Sequence, residues 1–129
     1  MQFPTLQTNR LKLDELKPAD AESLFRHFSN QEVVEYYDLE VFSDIDQASN
    51  SIQLFDERFN DALGIRWAIR LKESEGFVGT CGFNSWKPKM QSAVIGYDIS
   101  REFWGNGYAT EALREIIKFG YSGALPCSD

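Results

Sequence analysis

Histidine and cysteine are scarce in this chain, which has one histidine, His27, and two cysteines, Cys81 and Cys127, among 129 residues. The cysteines stand 46 positions apart and match no zinc or redox spacing, and a single histidine cannot anchor a His-rich site. The sequence therefore points away from metal catalysis. Cys81 lies in the apolar run Phe77-Val78-Gly79-Thr80-Cys81-Gly82-Phe83, which suits a buried small residue better than a reactive thiol. Long apolar runs are also missing. None approaches the roughly 18 residues of a membrane span, and Met1 to Leu13 lacks the basic start and apolar stretch of a signal peptide, so a cytoplasmic protein is expected. There is no internal repeat, low-complexity tract or linker, and the composition excludes collagen, a coiled coil and disorder. One domain spanning 1–129 is expected, long enough to build a core without disulfide or metal.

Basic residues number 13 against 20 acidic ones, a formal net charge of -7. The excess is local: from Asp14 to Asp61 there are 13 acidic residues against Lys17, Arg26 and Arg58, whereas residues 62–129 hold 7 acidic and 8 basic ones. The acidic half should repel nucleic acid and favour a cationic ligand such as an amine, although a solvated helical surface gives the same pattern.

Arg10-Leu11-Lys12-Leu13 alternates like a first strand with its leucines buried. Pro18 then opens a short helix whose Ala21, Leu24, Phe25 and Phe28 fall at helical spacing, ending at Ser29-Asn30. Ser43 resembles the start of a capping box, followed by the stripe Ile45, Ala48, Ile52, Phe55, Phe59 and Ala62 of an amphipathic helix that stops before Gly64. There the period falls to two. Ile65, Trp67, Ile69 and Leu71 form one strand, Phe77 to Phe83 a second and Ala93, Ile95, Tyr97 and Ile99 a third, with polar Lys72–Gly76 and a longer loop at Asn84–Met90 between them. This predicts an antiparallel meander. A last helix, with Ala109, Ala112, Leu113, Ile116 and Ile117 on its apolar face, opens in the turn Trp104-Gly105-Asn106-Gly107-Tyr108.

A helix start presents unpaired amides and partial positive charge, so a turn whose glycines admit a ligand becomes an anion site. Gly-x-Gly-x-Ala alone is a weak signal, because glycines before helices also serve tight packing. A phosphate loop would need Lys-Ser or Lys-Thr after its last glycine, and Tyr108-Ala109-Thr110 lacks it, which disfavours a nucleotide-binding protein using ATP. A dinucleotide fold would place the turn after the first strand of a parallel unit.

The order of these motifs resembles the GNAT N-acetyltransferases, in particular the branch of the ribosomal-protein N-terminal acetyltransferases. Thr8 to Leu13 resembles that branch's opening strand, Trp67-Ala68-Ile69 its second, Phe77 to Phe83 its third, Ile95-Gly96-Tyr97-Asp98-Ile99 its fourth, and Trp104 to Ala112 its cofactor motif. The match is collinear over about residues 6–120. It implies an α+β, GNAT-like mixed sheet and acetyl transfer from acetyl-CoA to a primary amine, a protein N-terminus or a small amine, by direct attack. The amides of Trp104, Gly105, Asn106, Gly107, Tyr108, Ala109 and Thr110 would hold the pyrophosphate, and the strand around Tyr97 and Ile99 would pair with the pantetheine arm. Amides in a fixed turn bind the cosubstrate without reorganisation, and a strand edge next to the thioester can donate to the oxyanion that develops on attack. Asp98 is the nearest acidic residue that could take the amine's proton; a solvent-facing strand residue is the competing reading. Tyr36-Tyr37-Asp38 could line the acceptor pocket, or pack as a surface loop.

Two departures from the family pattern stand out. Trp104 replaces the usual glutamine or arginine, which leaves a backbone-mediated site intact. The stretch Gly120–Asp129 is too short and too rich in Gly, Pro and Ser to supply the family's next strand, helix and hairpin, so a C-terminally truncated, incomplete domain is expected. An uncovered fourth-strand edge invites a homo-oligomer, and an inactive remnant that binds coenzyme A or only oligomerises is the alternative function.

Overall fold

Leu11 and Leu13 are fully buried and set the first long strand of the chain. The computed structural model describes residues 3–29, 43–61, 64–74, 76–87, 92–100 and 103–121. Asn30, Tyr36-Tyr37-Asp38, Ala62, the loop tip at 88–91 and the tail from 122 onward, with Cys127, lie outside these residues. Strand β1 (Leu6–Gln7) folds back on β2 (Leu11–Glu15), with Leu6 opposite Leu13. Two residues cannot display a period, so the sequence pattern gave no sign of β1.

A single 3-10 turn at Pro18–Asp20 leads into helix α1 (Ala21–Phe28), where the Lys17 amide donates to Asp20 Oδ2 at 2.8 Å. Ala21, Leu24 and Phe28 are buried as the spacing predicts, and His27 is buried on the same face. The Arg70 guanidinium fastens this corner to the sheet, bonding Asp14 at 2.7 Å and both oxygens of Asp20 at 2.8 Å. Burial pushes the Asp20 carboxyl up, but the bonds from Arg70 and the Lys17 amide outweigh it and hold the group below its ordinary value.

Helix α2 (Ile45–Asn60) begins one residue later than the Ser43 cap predicted from sequence. Asp44 is the cap: its carboxylate accepts from the Asp46 amide at 2.8 Å, and Gln47 Oε1 accepts from the Asp44 amide at 3.1 Å. A reciprocal box needs Glu or Gln three residues after the cap, which Gln47 supplies to Asp44 and Asp46 could not supply to Ser43. Ala48, Ile52 and Phe59 are buried along the predicted stripe, whereas Ile45 is exposed.

Strands β3 (Ile65–Leu71), β4 (Phe77–Lys87) and β5 (Ser92–Ile99) form the predicted meander. The sheet order is β1-β2-β3-β4-β5 and every pairing is antiparallel. No parallel strand of a mixed sheet is among the described residues. The loop expected from Asn84 is strand as far as Lys87, pairing with residues 92–94 of β5. The register shifts between Phe83 and Ser85, leaving Asn84 as an extra residue. Such a bulge interrupts a strict period of two, so the sequence there reads as loop.

One face of the sheet, through Trp67, Ile69, Cys81 and Ile99, packs on Ala112 and Ile116 of helix α3 (Tyr108–Tyr121). The other, through Ala68, packs on Leu24 and Phe28 of α1 and on Ala48 and Ile52 of α2. Ile117, placed by its spacing on the apolar face of α3, is exposed instead. Burial pushes the Cys81 thiol up to about 12, in keeping with a packing residue.

Gly79 sits where β4 passes close against β5: a Cβ there would lie 2.0 Å from the Asp98 carbonyl oxygen, a backbone atom that cannot swing aside. Gly79→Ala is expected to cost about 1–3 kcal/mol of stability, seen as a lower denaturation midpoint in urea. An unchanged midpoint would contradict this packing.

Candidate active site

The glycine turn runs from Phe103 to Gly107 and feeds directly into α3. Gly105 and Gly107 have φ of +83° and +78°, a region that side-chain-bearing residues rarely enter. Nothing lies within 4 Å of a Cβ built at Gly105, so the turn is open on that side. The Asn106 side chain donates back to the Phe103 carbonyl at 2.9 Å, and Trp104 Nε1 donates to the Ile99 carbonyl at 2.7 Å, tying the turn to the end of β5. The Glu111 amide makes the first intrahelical bond, to the Gly107 carbonyl at 3.1 Å. The amides of Tyr108, Ala109 and Thr110 therefore belong to the first turn, whose donors lie outside the helix's own ladder.

Arg10 braces this turn from the opening strand. Its Nη1 donates to the Asn106 carbonyl at 2.9 Å, its Nε to Glu111 Oε1 at 2.8 Å, and its guanidinium lies 4.6 Å from the centroid of the Tyr108 ring. The Arg10 amide and the Thr8 hydroxyl both donate to Glu111 Oε2. Burial pushes the Glu111 carboxyl up, but the bonds from Thr8 and Arg10 outweigh it and hold the group ionised. The result is a rigid, amide-lined turn flanked by a half-exposed cation, an arrangement suited to charged phosphate oxygens. A pyrophosphate-bearing cosubstrate fits this cradle, because Gly105 leaves the space and α3 supplies the donors.

Asp98 occupies a different setting from the solvent-facing position its strand pattern allows: its side chain is 1% exposed. Oδ1 bonds His27 Nε2 and accepts from the Thr80 amide at 3.1 Å, while Oδ2 accepts from the Thr80 hydroxyl at 2.7 Å and from Arg66 Nη2 at 2.8 Å. Burial pushes this carboxyl up, yet His27, Arg66 and Thr80 together outweigh it and hold it below its ordinary value. His27 Nδ1 lies 2.8 Å from the Ser100 hydroxyl.

Of the residues read from sequence, Trp104, Gly105, Asn106, Gly107, Tyr108, Ala109 and Thr110 form one continuous turn and helix start. Tyr97 is exposed on β5 and Ile99 is buried on the same face. The Ser100 amide donates inward to the Val78 carbonyl at 2.8 Å, and antiparallel alternation then directs the backbone groups of Tyr97 and Ile99 to the outer edge. Sequence reasoning missed Arg10 and Glu111 as braces of the turn, and His27, Arg66, Thr80 and Ser100 as partners of Asp98. For His27 a signal existed, because it follows Leu24 by three positions and so shares the buried stripe.

The sequence matches the family model described as an acetyltransferase (GNAT) domain over residues 10–125. The uncharacterized N-acetyltransferase YoaA of Bacillus subtilis is 41% identical over 120 residues, which are 93% of this chain and 68% of that protein. Among solved structures, RimL, the ribosomal L7/L12 alpha-N-protein acetyltransferase, superposes with a TM-score of 0.82 at 14% identity, covering 97% of this chain and 68% of its own. The microcin self-immunity acetyltransferase MccE, solved with acetyl-CoA and AMP, has a TM-score of 0.77 at 19% identity, covering 92% and 66%. The chain thus spans about two thirds of the length of the relatives it matches. By the family model and the YoaA match, with the glycine turn in its place after the meander, the chain belongs to the GNAT acetyltransferases, enzymes that use acetyl-CoA as cosubstrate.

Proposed function

We propose that this domain transfers the acetyl group of acetyl-CoA to a primary amine, a protein N-terminus or a small amine, by direct attack of the neutral nitrogen on the thioester. The observation that carries this reading is the Arg10-braced turn, where two positive-φ glycines open the start of α3. In it the amides from Trp104 to Thr110 hold the pyrophosphate, and the outward backbone groups of Tyr97 and Ile99 guide the pantetheine arm along the β5 edge. The Ile99 carbonyl already accepts from the Trp104 indole, so Tyr97 offers the freer groups for that pairing. RimL's name, which specifies a protein α-amine, and the acidic balance of residues 14–61 both favour a cationic amine as acceptor.

The described residues show no strand on the outer edge of β5. Without bound cosubstrate, we expect a second copy of the 129-residue chain to use that edge, so light scattering at micromolar concentration should return a dimer or larger. A monomer would refute this pairing.

Calorimetric titration with acetyl-CoA tests the cosubstrate site. Gly107→Val puts a branched residue at a φ of +78° in the turn and is expected to abolish binding while the fold is retained. Arg10→Ala removes the brace and a nearby positive charge and should weaken binding by roughly 10-fold, the equivalent of about 1.4 kcal/mol. Wild-type affinity in Gly107→Val would overturn the assignment of the turn, and tight binding without turnover on any amine would favour the inactive coenzyme A-binding remnant.

A further inference from the structure

The hydrogen-bond directions around Asp98 fix more than its burial. Its carboxylate accepts from the Thr80 amide, the Thr80 hydroxyl and Arg66 Nη2. Arg66 Nε also donates to the Thr80 hydroxyl oxygen at 3.1 Å, which commits that hydroxyl's own proton to Asp98. With Asp98 ionised and acting only as an acceptor, the proton between it and His27 belongs to Nε2. In the neutral imidazole Nδ1 then presents its lone pair to the Ser100 hydroxyl, 2.8 Å away. The order is hydroxyl, imidazole, carboxylate, and each ring nitrogen has one assigned role.

Exposure gives this line a direction. The His27 and Asp98 side chains are 0% and 1% exposed, and the Phe28 and Phe77 rings stand 4.8 Å and 5.7 Å from the imidazole, centroid to centroid. Ser100 is partly buried, so of the three residues it is the one that reaches toward the surface. Its backbone is held on both sides: its amide donates to Val78, and its carbonyl accepts from the Phe103 amide at 2.9 Å. It directly follows Ile99 on the proposed pantetheine edge and precedes the glycine turn. Among the described residues, the ionised groups facing His27 are Asp98 and, through it, Arg66; on α1 itself Arg26 pairs with Glu22. A proton arriving on His27 is stabilised by the adjacent Asp98 carboxylate, which Arg66 and Thr80 hold in place.

We infer that Ser100, His27 and Asp98 form the proton-accepting unit of acetyl transfer, an inference that rests on the function proposed above. An ammonium acceptor must lose one proton before its nitrogen can attack. In the relay the acceptor's N–H bond breaks as a new Ser100 O–H bond forms, and the original hydroxyl proton moves to His27 Nδ1. Serine ends neutral, the imidazolium carries the charge, and Asp98 stabilises it. The proton later leaves for solvent or the departing thiolate. Ser100 is the residue that meets the substrate; His27 and Asp98 are positioning residues that act through it.

His27 is the only histidine in the chain, so a long-range proton–nitrogen correlation spectrum of labelled protein reads this one imidazole without ambiguity. The expected result is the neutral tautomer protonated at Nε2, and a ring protonated at Nδ1 alone would overturn the relay. Turnover is then followed as coenzyme A thiol released from acetyl-CoA, with peptides bearing a free N-terminus and with polyamines as acceptors. Ser100→Ala is expected to lower kcat by at least about 100-fold, to leave the acetyl-CoA KM within about twofold, and to remove an ionisation from the wild-type pH profile. Ser100→Thr, which keeps the hydroxyl, should restore most of the rate, and equal melting temperatures would separate both results from misfolding. Active wild type whose Ser100→Ala variant keeps kcat and pH profile overturns the relay alone. Wild type that binds no acetyl-CoA and releases no thiol overturns the acetyl-transfer reading and the relay with it.

Discussion

A carboxylate with 1% of its side chain exposed is costly to bury unless every lone pair is met, and Asp98 meets that demand by drawing on three elements at once. Arg66 comes from β3, Thr80 from β4 and His27 from α1. These partners converge only if β3, β4 and β5 are in the observed register, with Ala68, Thr80 and Asp98 side by side on the face that α1 covers. A one-residue slip of β5 would turn Asp98 to the opposite face and leave the His27 ring and the Arg66 guanidinium without it. The ion cluster therefore acts on the architecture as a register lock, while the apolar contacts around Ala68, Leu24 and Ile52 supply the driving force.

That division explains what was legible in the sequence. Apolar periodicity carried the long elements: Leu11 and Leu13, the stripe of α2, the alternation of β3 and the start of α3 all fall where their spacing puts them. The glycine turn was legible because positive φ restricts its residues chemically. Long-range polar pairing leaves no periodic trace. His27 and Asp98 are 71 positions apart, and Arg10 and Glu111 are 101 apart, so no window of sequence contains both partners. Asp98 illustrates the limit. The alternation of Ile95, Tyr97 and Ile99 assigns it to the other face of the strand, and only the position of α1 makes that face an interior.

The same reasoning shows why β5 and the turn behave as a unit. Ile99, Ser100 and Phe103 are joined by the Trp104 indole bond and by the Phe103 amide bond to Ser100, so the end of the strand cannot shift without moving the turn. On the far side Arg10 holds the Asn106 carbonyl and Glu111 together, and Glu111 in turn bonds Thr8. Restraint from both flanks matters for a site built on backbone amides. A loop free to reorganise would lose part of its binding energy to ordering, whereas donors held in place deliver it to the ligand.

Two charge systems thus sit on opposite ends of one short segment, with opposite electrostatic tasks. At Gly105 to Thr110 the helix start and Arg10 present positive potential where phosphate oxygens are expected. At Ser100 the sealed His27–Asp98 pair stands behind a hydroxyl, the end of the line that we infer takes the acceptor's proton. Only four residues separate Ser100 from Gly105, yet the first system is exposed and built from main chain, and the second is buried and built from side chains. In the proposed transfer the cosubstrate is held by its anionic end and the amine is deprotonated at the other, and the bonds from Phe103 to Ser100 and from Trp104 to Ile99 tie the two places together.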